Sequence, residues 1–292
     1  MPRFLIEVQY DGSAYFGWQR QGDGQISVQE VVEASLSDLF GQPTTVLAAG
    51  RTDRGVSARA MPAQFTSETR LRGEELRRAI DFRLPPDVAI RSLREVPEDF
   101  HCRYDALGKV YAYRLNNARR RAPLARFALL WPRALDFELM HQASRALIGT
   151  HDFSSFATLL SEHPNKQTTQ PDPDNPDKPQ GNVRTIHEIA TIRRGEIVSL
   201  LVFGDGFLRG MVRAVVGTLL EVATKQREAS EVATILAARD RRLAGPNVPA
   251  HGLMLERVFY EDAERERWIA RAREAATRPQ GASDIQWPEE LF

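Results

Sequence analysis

The stretch Ala49-Gly50-Arg51-Thr52-Asp53-Arg54-Gly55-Val56-Ser57-Ala58 places one carboxylate, Asp53, between two arginines. The apolar residues before it predict a buried strand over 45–49, and a further strand is expected over 63–66. Gly55 permits a tight turn that presents the Asp53 side chain in a cleft. Two interpretations fit Asp53: a catalytic carboxylate, or a turn residue that hydrogen-bonds its own backbone.

The segments around this loop alternate between strand and helix patterns throughout the first half of the chain. Ser27 and Glu30 have the spacing of a capping box, which predicts the start of a helix. Apolar residues at every third or fourth position of that helix predict that one face covers a sheet. The expected elements are strands over residues 4–10, 45–49, 63–66 and 88–96, with helices over 27–40 and 74–82.

The second half shows the same mixture of patterns. Apolar residues continue around most of the helix predicted over 207–224, which indicates burial on more than one side. Residues 163–182 hold five prolines and almost no apolar residue, and they are expected to form a mobile loop. The other expected elements are strands over residues 109–115, 183–193, 197–203 and 253–260, with helices over 137–148, 230–239 and 264–277. The strands over 183–193 and 197–203 are expected to pair as a hairpin.

The chain has 292 residues, which exceeds the usual size of one domain. We expect an α+β fold in which two similar mixed α/β subdomains share a largely antiparallel sheet with a central catalytic cleft. The N-terminal catalytic subdomain is predicted over residues 1–105 and carries the Asp53 loop. The C-terminal subdomain is predicted over 106–260 with the insertion 163–182, and a charged helix and tail follow over 261–292.

Several classes of protein are excluded by composition. Cys102 is the single cysteine, so neither an intramolecular disulfide nor a multi-cysteine zinc site is expected. The six histidines lack the short paired spacing of metal ligands, and we expect no metal site. A charged residue follows the N-terminus too closely for the apolar core of a signal peptide, and no apolar run is long enough for a membrane span. A cytoplasmic protein without membrane contact is expected.

Charge is balanced over the whole chain, with 39 basic and 39 acidic residues. This balance argues against a protein that coats nucleic acid non-specifically. Arginines nevertheless form local clusters, and guanidinium groups suit phosphate contact and base stacking. The clusters are either solvated ends of helices and loops or parts of one positive face. They lie at Arg51, Arg54 and Arg59, at Arg77 and Arg78, at Arg119, Arg120, Arg121 and Arg126, at Arg193 and Arg194, and at Arg239, Arg241 and Arg242.

The segment of residues 49–58 closely resembles the signature of the TruA family of tRNA pseudouridine synthases. Further similar segments occur in the family's order and together cover about residues 3–260. Two positions, Arg54 and Ser57, depart from the commonest bacterial pattern, which puts only the loop's contacts with RNA in question. The similar segments are Tyr10-Asp11-Gly12, Gly17-Trp18-Gln19, Phe100-His101-Cys102-Arg103, Gly149-Thr150-His151-Asp152-Phe153, Gly206-Phe207-Leu208-Arg209-Gly210-Met211-Val212-Arg213 and Ala250-His251-Gly252-Leu253.

The resemblance implies a role for five residues. Asp53 matches the family's essential catalytic aspartate, and Tyr111 the tyrosine that stacks on the target uracil, although alone it also fits an ordinary strand residue. Arg213 matches the arginine that pairs with the carboxylate, and Leu253 the apolar residue packed at the active site, although alone it fits a core leucine. Arg51 matches the arginine near the flipped nucleotide, which leaves its stack before chemistry.

The resemblance also implies an activity and its partners. Uridines at positions 38–40 of the tRNA anticodon stem-loop are converted to pseudouridine without a cofactor, by a homodimer that binds tRNA and not DNA. Aspartate can act as a nucleophile or remove a ribose proton, and both routes stay open. Three alternatives remain: a synthase with another RNA target, a silent RNA-binding scaffold, and a hydrolase of a nucleoside bond.

Overall fold

A computed structural model of the protein describes residues 1–22, 24–158 and 181–277. The contacts group the chain into two compact units, residues 1–107 with 254–260, and residues 108–253 with the chain after residue 260. Each unit combines helices with a mostly antiparallel sheet, which confirms the α+β fold class. The subdomain division at residues 105 and 260 stays a prediction. Residues 163–180 of the predicted mobile loop lie outside the described residues.

The first unit is built on a sheet whose central strand is β1. Antiparallel pairing joins β1 to β3 on one side and to β4 on the other. The two helices are tied together by a buried hydrogen bond from Ser35 Oγ to Ile80 O, 3.0 Å long. The elements are β1 (Arg3–Tyr10), α1 (Val28–Phe40), β2 (Leu47–Ala48), β3 (Ser57–Thr66), α2 (Gly73–Asp81) and β4 (Val88–Val96).

Helix α1 begins where the sequence predicts. Ser27 accepts a hydrogen bond from the Glu30 backbone, and the Glu30 carboxylate accepts one from the Ser27 backbone, so the capping box is confirmed. Gly41 ends the helix in the left-handed conformation with φ of 67°, which favours glycine.

The strand predicted over 45–49 is largely wrong. Only Leu47 and Ala48 are in strand conformation, and Leu47 is exposed. The reason lies in α1, whose side chains bind the backbone that leads into this segment. The Glu33 carboxylate accepts a hydrogen bond from Val46 N at 3.1 Å, and Ser37 Oγ accepts one from Thr44 N at 3.0 Å.

The second unit has its own four-stranded antiparallel sheet in the order β5-β9-β8-β7. The short strand β6 adds to β5 in parallel. Strands β8 and β9 form the predicted hairpin. The elements are β5 (Gly108–Asn116), β6 (Leu129–Leu130), α3 (Phe137–Arg145), β7 (Gly149–Asp152), β8 (Val183–Arg194), β9 (Ile197–Gly204), α4 (Met211–Ala223), α5 (Glu231–Ala238) and α6 (Asp262–Thr277).

Helix α4 is the buried element of the second unit. All its residues except Arg213 and Glu221 are buried, which confirms the predicted burial on more than one side. The helix begins at Met211 rather than at residue 207, because Gly210 adopts the left-handed conformation with φ of 71°. Strand β7 is not predicted by the sequence. Its four residues begin at Gly149, directly after the helix predicted over 137–148, whereas α3 already ends at Arg145.

The last strand, β10 (Leu253–Phe259), returns to the first unit from Met254 onward. Met254 and Leu255 pair in parallel with Ser57 and Ala58 at the start of β3. A part-buried ion pair strengthens this attachment, with Arg59 Nε 2.9 Å from Glu256 Oε2. Across the residues that the structure describes, none of the helices has the length and apolar character needed to cross a membrane.

Candidate active site

The loop that carries Asp53 is irregular and is held in place by its backbone. Trp18 N donates to Thr52 O at 3.2 Å, and Gly55 N donates to Tyr15 O at 3.3 Å. Within the loop, Val56 N donates to Asp53 O at 3.1 Å and closes the turn. Backbone bonds on both sides of Asp53 therefore fix its position between β2 and β3.

A side-chain hydrogen bond reinforces this arrangement. The Tyr10 hydroxyl lies 2.8 Å from Thr52 Oγ1, and both residues are buried. The Tyr10 ring also packs against the Trp18 indole, with ring centroids 5.9 Å apart. A buried hydroxyl pair of this kind is costly to break, because the remaining hydroxyl would lose its partner.

Two glycines allow the two loops to approach closely. A Cβ atom at Gly12 would lie 2.1 Å from Val56 O, and one at Gly17 would lie 2.5 Å from Thr52 O. Gly17 also has φ of 94°, a conformation that side chains disfavour. We call residues 10–18 together with residues 50–57 the loop clasp.

The loop clasp leaves the Asp53 side chain half-buried and Arg51 exposed. Arg54 folds over the ring of Phe16, with its Cζ 4.2 Å from the ring centroid. The structure thus presents a carboxylate at the surface of the first unit on a backbone that cannot readily shift. Gly55, with φ of 78°, makes the predicted tight turn.

In the second unit, Tyr111 lies on β5 and is 9% exposed. Its ring meets the ring of Phe207 edge-on, at a centroid distance of 5.2 Å and an interplanar angle of 85°. This T-shaped contact is a favoured aromatic geometry and fixes the plane of the Tyr111 ring. Phe207 was not among the predicted site residues, although it lies within one of the recognised segments.

Arg213 is the half-buried exception on α4. Its Nε donates to Val248 O at 2.6 Å, and its own carbonyl accepts from Val248 N at 3.3 Å. The segment with Val248 presses against α4, because a Cβ atom at Gly217 would lie 1.9 Å from Pro246 O. The guanidinium is therefore anchored at one nitrogen by a rigidly packed loop.

Tyr113 supports the segment that leads to Leu253. Its hydroxyl donates to Pro249 O at 2.9 Å, and a Cβ atom at Gly252 would lie 2.8 Å from its Cζ. Burial raises the pKa of the Tyr113 hydroxyl, against a weaker opposite effect of the Arg213 guanidinium, so the hydroxyl stays a donor. Leu253 itself is 6% exposed.

The predicted residues thus form two groups. Arg51 and Asp53 share one loop of the first unit. In the second unit, Arg213 contacts the segment 246–253, Leu253 ends that segment, and Tyr111 lies beside Phe207. The supporting residues Tyr10, Gly17, Thr52, Tyr113 and Gly217 were not predicted as part of a site. Of these, Tyr10, Gly17 and Thr52 carried a signal, since all three lie in recognised segments. Over residues 1–22, 24–158 and 181–277, no group of three or more histidines, cysteines, aspartates or glutamates could hold a metal ion.

Comparison with known proteins identifies the family. The model of a family described as tRNA pseudouridine synthase matches residues 6–105 and 143–261. A relative named tRNA pseudouridine synthase A from Myxococcus xanthus is 41% identical over 267 residues, which cover 90% of this chain and 93% of the relative. Proteins of the same name from Clostridium acetobutylicum and Thermus thermophilus are 37% and 39% identical. They cover 89% and 90% of this chain and 100% and 98% of their own lengths. The chain belongs to the tRNA pseudouridine synthase family.

Proposed function

We propose that this chain converts uridine to pseudouridine at positions 38–40 of the tRNA anticodon stem-loop, with Asp53 as its catalytic carboxylate. The observation that carries the proposal is the loop clasp, which holds the Asp53 carboxylate half-exposed on a fixed backbone in a chain of this family. Fixed backbone around a reacting group is what catalysis by positioning requires. The family resemblance implies no cofactor, and the reaction rearranges the atoms of one nucleotide without net oxidation or reduction.

The reaction replaces one bond to the ribose by another. The bond between uracil N1 and ribose C1′ breaks, the uracil turns, and C5 bonds to C1′ as the proton on C5 leaves and N1 gains one. Asp53 has two chemical routes to the first step. It attacks C1′ as a nucleophile, or it removes the C2′ proton so that a glycal forms.

The other four residues take roles from the family resemblance. The Tyr111 ring, whose plane is set by Phe207, is suited to stack on the uracil. The Arg213 guanidinium is suited to steady a carboxylate, since its Nε is already anchored at Val248 O. Leu253 provides apolar packing, and exposed Arg51 is suited to fill the gap that the flipped uridine leaves in the RNA stack.

The proposed enzyme acts in the cytoplasm as a homodimer that binds tRNA. A dimer is expected to join the positive surfaces of two otherwise neutral chains into one groove for a polyanion. One chain has a mass of 32.9 kDa. Light scattering at micromolar concentration is expected to give twice that mass. Monomer alone at that concentration would overturn the dimer and leave the proposed chemistry untouched.

Product analysis distinguishes this proposal from its rivals. Purified protein is incubated with tRNA transcripts in which the only uridine of the anticodon arm is at position 38, 39 or 40. The nucleosides are then separated. Pseudouridine at these positions supports the proposal, and abasic sites would indicate a hydrolase. Binding without any change in the RNA would indicate a scaffold. Pseudouridine confined to other tRNA positions would keep the activity and overturn the site assignment.

A further inference from the structure

Several surface arginines of this chain lie beside carboxylates. Arg78 Nε lies 2.9 Å from Glu74 Oε1, and Arg242 Nη2 lies 2.6 Å from Asp240 Oδ2. Arg59 and Glu256 form the part-buried pair at the start of β3. At least one arginine in each of three of the five clusters is thus paired, since Arg239 also lies 3.2 Å from Asp152 Oδ2.

One segment concentrates arginines without any carboxylate of its own. Residues 117–133, which we call the arginine loop, hold five arginines and no aspartate or glutamate. Arg119, Arg120 and Arg121 are all exposed, and none of the ion pairs within the described part of the chain includes them. Since the whole chain is neutral, the rest of it carries a net negative charge. The arginine loop is a concentrated exception to the charge balance.

The base of the arginine loop is fixed. Asn117 Nδ2 donates to Trp131 O at 2.6 Å and to Arg133 O at 2.8 Å, and Trp131 N donates to Asn116 O at 2.8 Å. Strand β6 within the loop pairs with the end of β5. The arginines are consequently presented from a closed and hydrogen-bonded base, which lowers the entropy lost when they bind a partner.

The turn of the β8–β9 hairpin lies beside this base. Asn117 N donates to Glu196 O at 2.7 Å, so the turn adds Arg193, Arg194 and the opposing charge of Glu196. Two arginines of this region lie over aromatic rings, with Arg126 Cζ 4.6 Å from the Phe127 centroid and Arg193 Cζ 5.4 Å from that of Phe137. The net charge stays strongly positive, and guanidinium planes suit both phosphates and bases.

We propose that the arginine loop is an RNA-binding surface that grips the sugar–phosphate backbone of the substrate tRNA. The inference rests on the proposed function for the identity of the RNA. The loop lies between the two ranges that match the family model, 6–105 and 143–261. Its contacts with phosphate supply affinity and orientation rather than chemistry or base reading.

The test compares two triple variants that remove the same charge. R119Q/R120Q/R121Q alters the arginine loop, while R78Q/R242Q/R267Q removes three exposed arginines scattered over the surface. The dissociation constant for unmodified tRNA is measured between 50 and 200 mM salt. Each lost phosphate contact lowers the slope of log affinity against log salt by about 0.7–0.9. In the arginine-loop variant, the magnitude of the slope is expected to fall by about 2 and the affinity on the order of tenfold. The scattered variant is expected to change much less in both.

Two results would overturn the inference. An unchanged slope in the arginine-loop variant would exclude phosphate contact and leave an acidic protein as the partner to seek. Equal losses in both variants would show that only total charge matters. Pseudouridine formation by the unaltered protein is followed in parallel at saturating tRNA. Its absence would refute the proposed function, whereas normal formation with an unchanged slope would refute the arginine loop alone.

Discussion

The loop clasp of the first unit and helix α4 of the second hold a charged side chain in place by different means. In the loop clasp, Asp53 is fixed by hydrogen bonds between two irregular segments. Arg213 lies on helix α4, whose other residues are nearly all buried. Both side chains end half-buried, so each is held firmly and still reachable.

The difference teaches where each region is vulnerable. Although Tyr10 and Trp18 of the loop clasp are buried, Asp53 itself is positioned by a few directional bonds. A disturbance of those bonds should alter the position of Asp53 more than the stability of the fold. A helix packed on all sides contributes much of the core, and its disturbance should lower stability first. Rate and stability therefore report on different regions.

Among the variants that keep Asp53, Gly17→Ala is expected to have the largest effect on rate. The new Cβ would lie 2.5 Å from Thr52 O at φ of 94°, so the backbone beside Asp53 must move. A displacement of about 1 Å costs on the order of 10²-fold in rate. Single-turnover kinetics on tRNA should show this loss, with a change of only a few degrees in the melting temperature.

Gly22→Ala is the matched control for that variant. A Cβ atom there meets nothing within 4 Å. Its rate should equal that of the unaltered protein. Normal activity in Gly17→Ala would contradict the idea that the loop clasp positions Asp53.

Gly217→Ala should instead act on stability. Its Cβ would lie 1.9 Å from Pro246 O, inside the core contact between α4 and the segment with Val248. Overpacking of this kind costs about 1–3 kcal/mol, and each kcal/mol lowers the melting temperature by roughly 2–4 °C in a protein of this size.

Calorimetry of Gly217→Ala is compared with Gly206→Ala, whose Cβ would make only an ordinary contact 3.6 Å from Arg184 Nε. A smaller loss of stability in Gly217→Ala than in Gly206→Ala would show that α4 is not tightly packed. The contrast between the two regions would then fail.

Tyr10→Phe tests the loop clasp with a smaller change. It removes the hydroxyl that lies 2.8 Å from Thr52 Oγ1 and leaves a buried hydroxyl without that partner, a cost of about 1–3 kcal/mol. We expect kcat to fall by roughly 10-fold while KM for tRNA stays near its original value, since one kcal/mol or more of positioning is lost.

Tyr260→Phe provides the comparison, because its hydroxyl donates to Cys102 O at 2.6 Å in the same unit and away from the loop clasp. This variant should lose stability without losing kcat. Equal kcat in the two variants would assign Tyr10 a purely structural role.

Acid is expected to lower the stability of the second unit, by a smaller amount than the substitutions above. Burial lowers the pKa of His187 on β8, and nearby Arg265 lowers it further, against smaller opposite effects of Asp205, Glu266 and Asp262. The folded state therefore favours neutral His187, and its contribution to stability is present above about pH 6.5 and declines as the pH falls below it.

Denaturant unfolding at pH 5 and pH 8 measures this decline. His187→Gln should reduce the difference between the two pH values, while the rate at saturating tRNA and pH 8 stays unchanged. An identical pH dependence in the variant would show that His187 does not contribute to the loss of stability in acid.

Local sequence signals predicted most of the regular structure. The alternation of residues 4–10 and the capping box at Ser27 are short-range features, and β1 and α1 appear where these signals place them. The strand predicted over 45–49 failed because Glu33 and Ser37 bind the backbone that leads into it. That competition joins residues 13 and 7 positions apart, which is beyond the reach of a residue-by-residue alternation pattern.

The site was predictable in part for the same reason. Gly17 and Tyr10 stood out as members of recognised segments, but their contacts with Thr52 depend on how two distant loops meet. Gly217 gave no signal at all, since the sequence indicates only that a glycine within an apolar helix is a weak helix former. Close approach of backbones is a tertiary property, and sequence pattern records it poorly.

The most direct test of the central claim is tritium release from tRNA labelled at uracil C5 within the anticodon arm. The unaltered protein should release the label into water, and Asp53→Asn should release none while it still binds the tRNA with similar affinity. Retained release by Asp53→Asn would contradict the assignment of Asp53 as the catalytic carboxylate. No release by the unaltered protein from any tRNA with uridine at positions 38–40 would contradict the proposed reaction there.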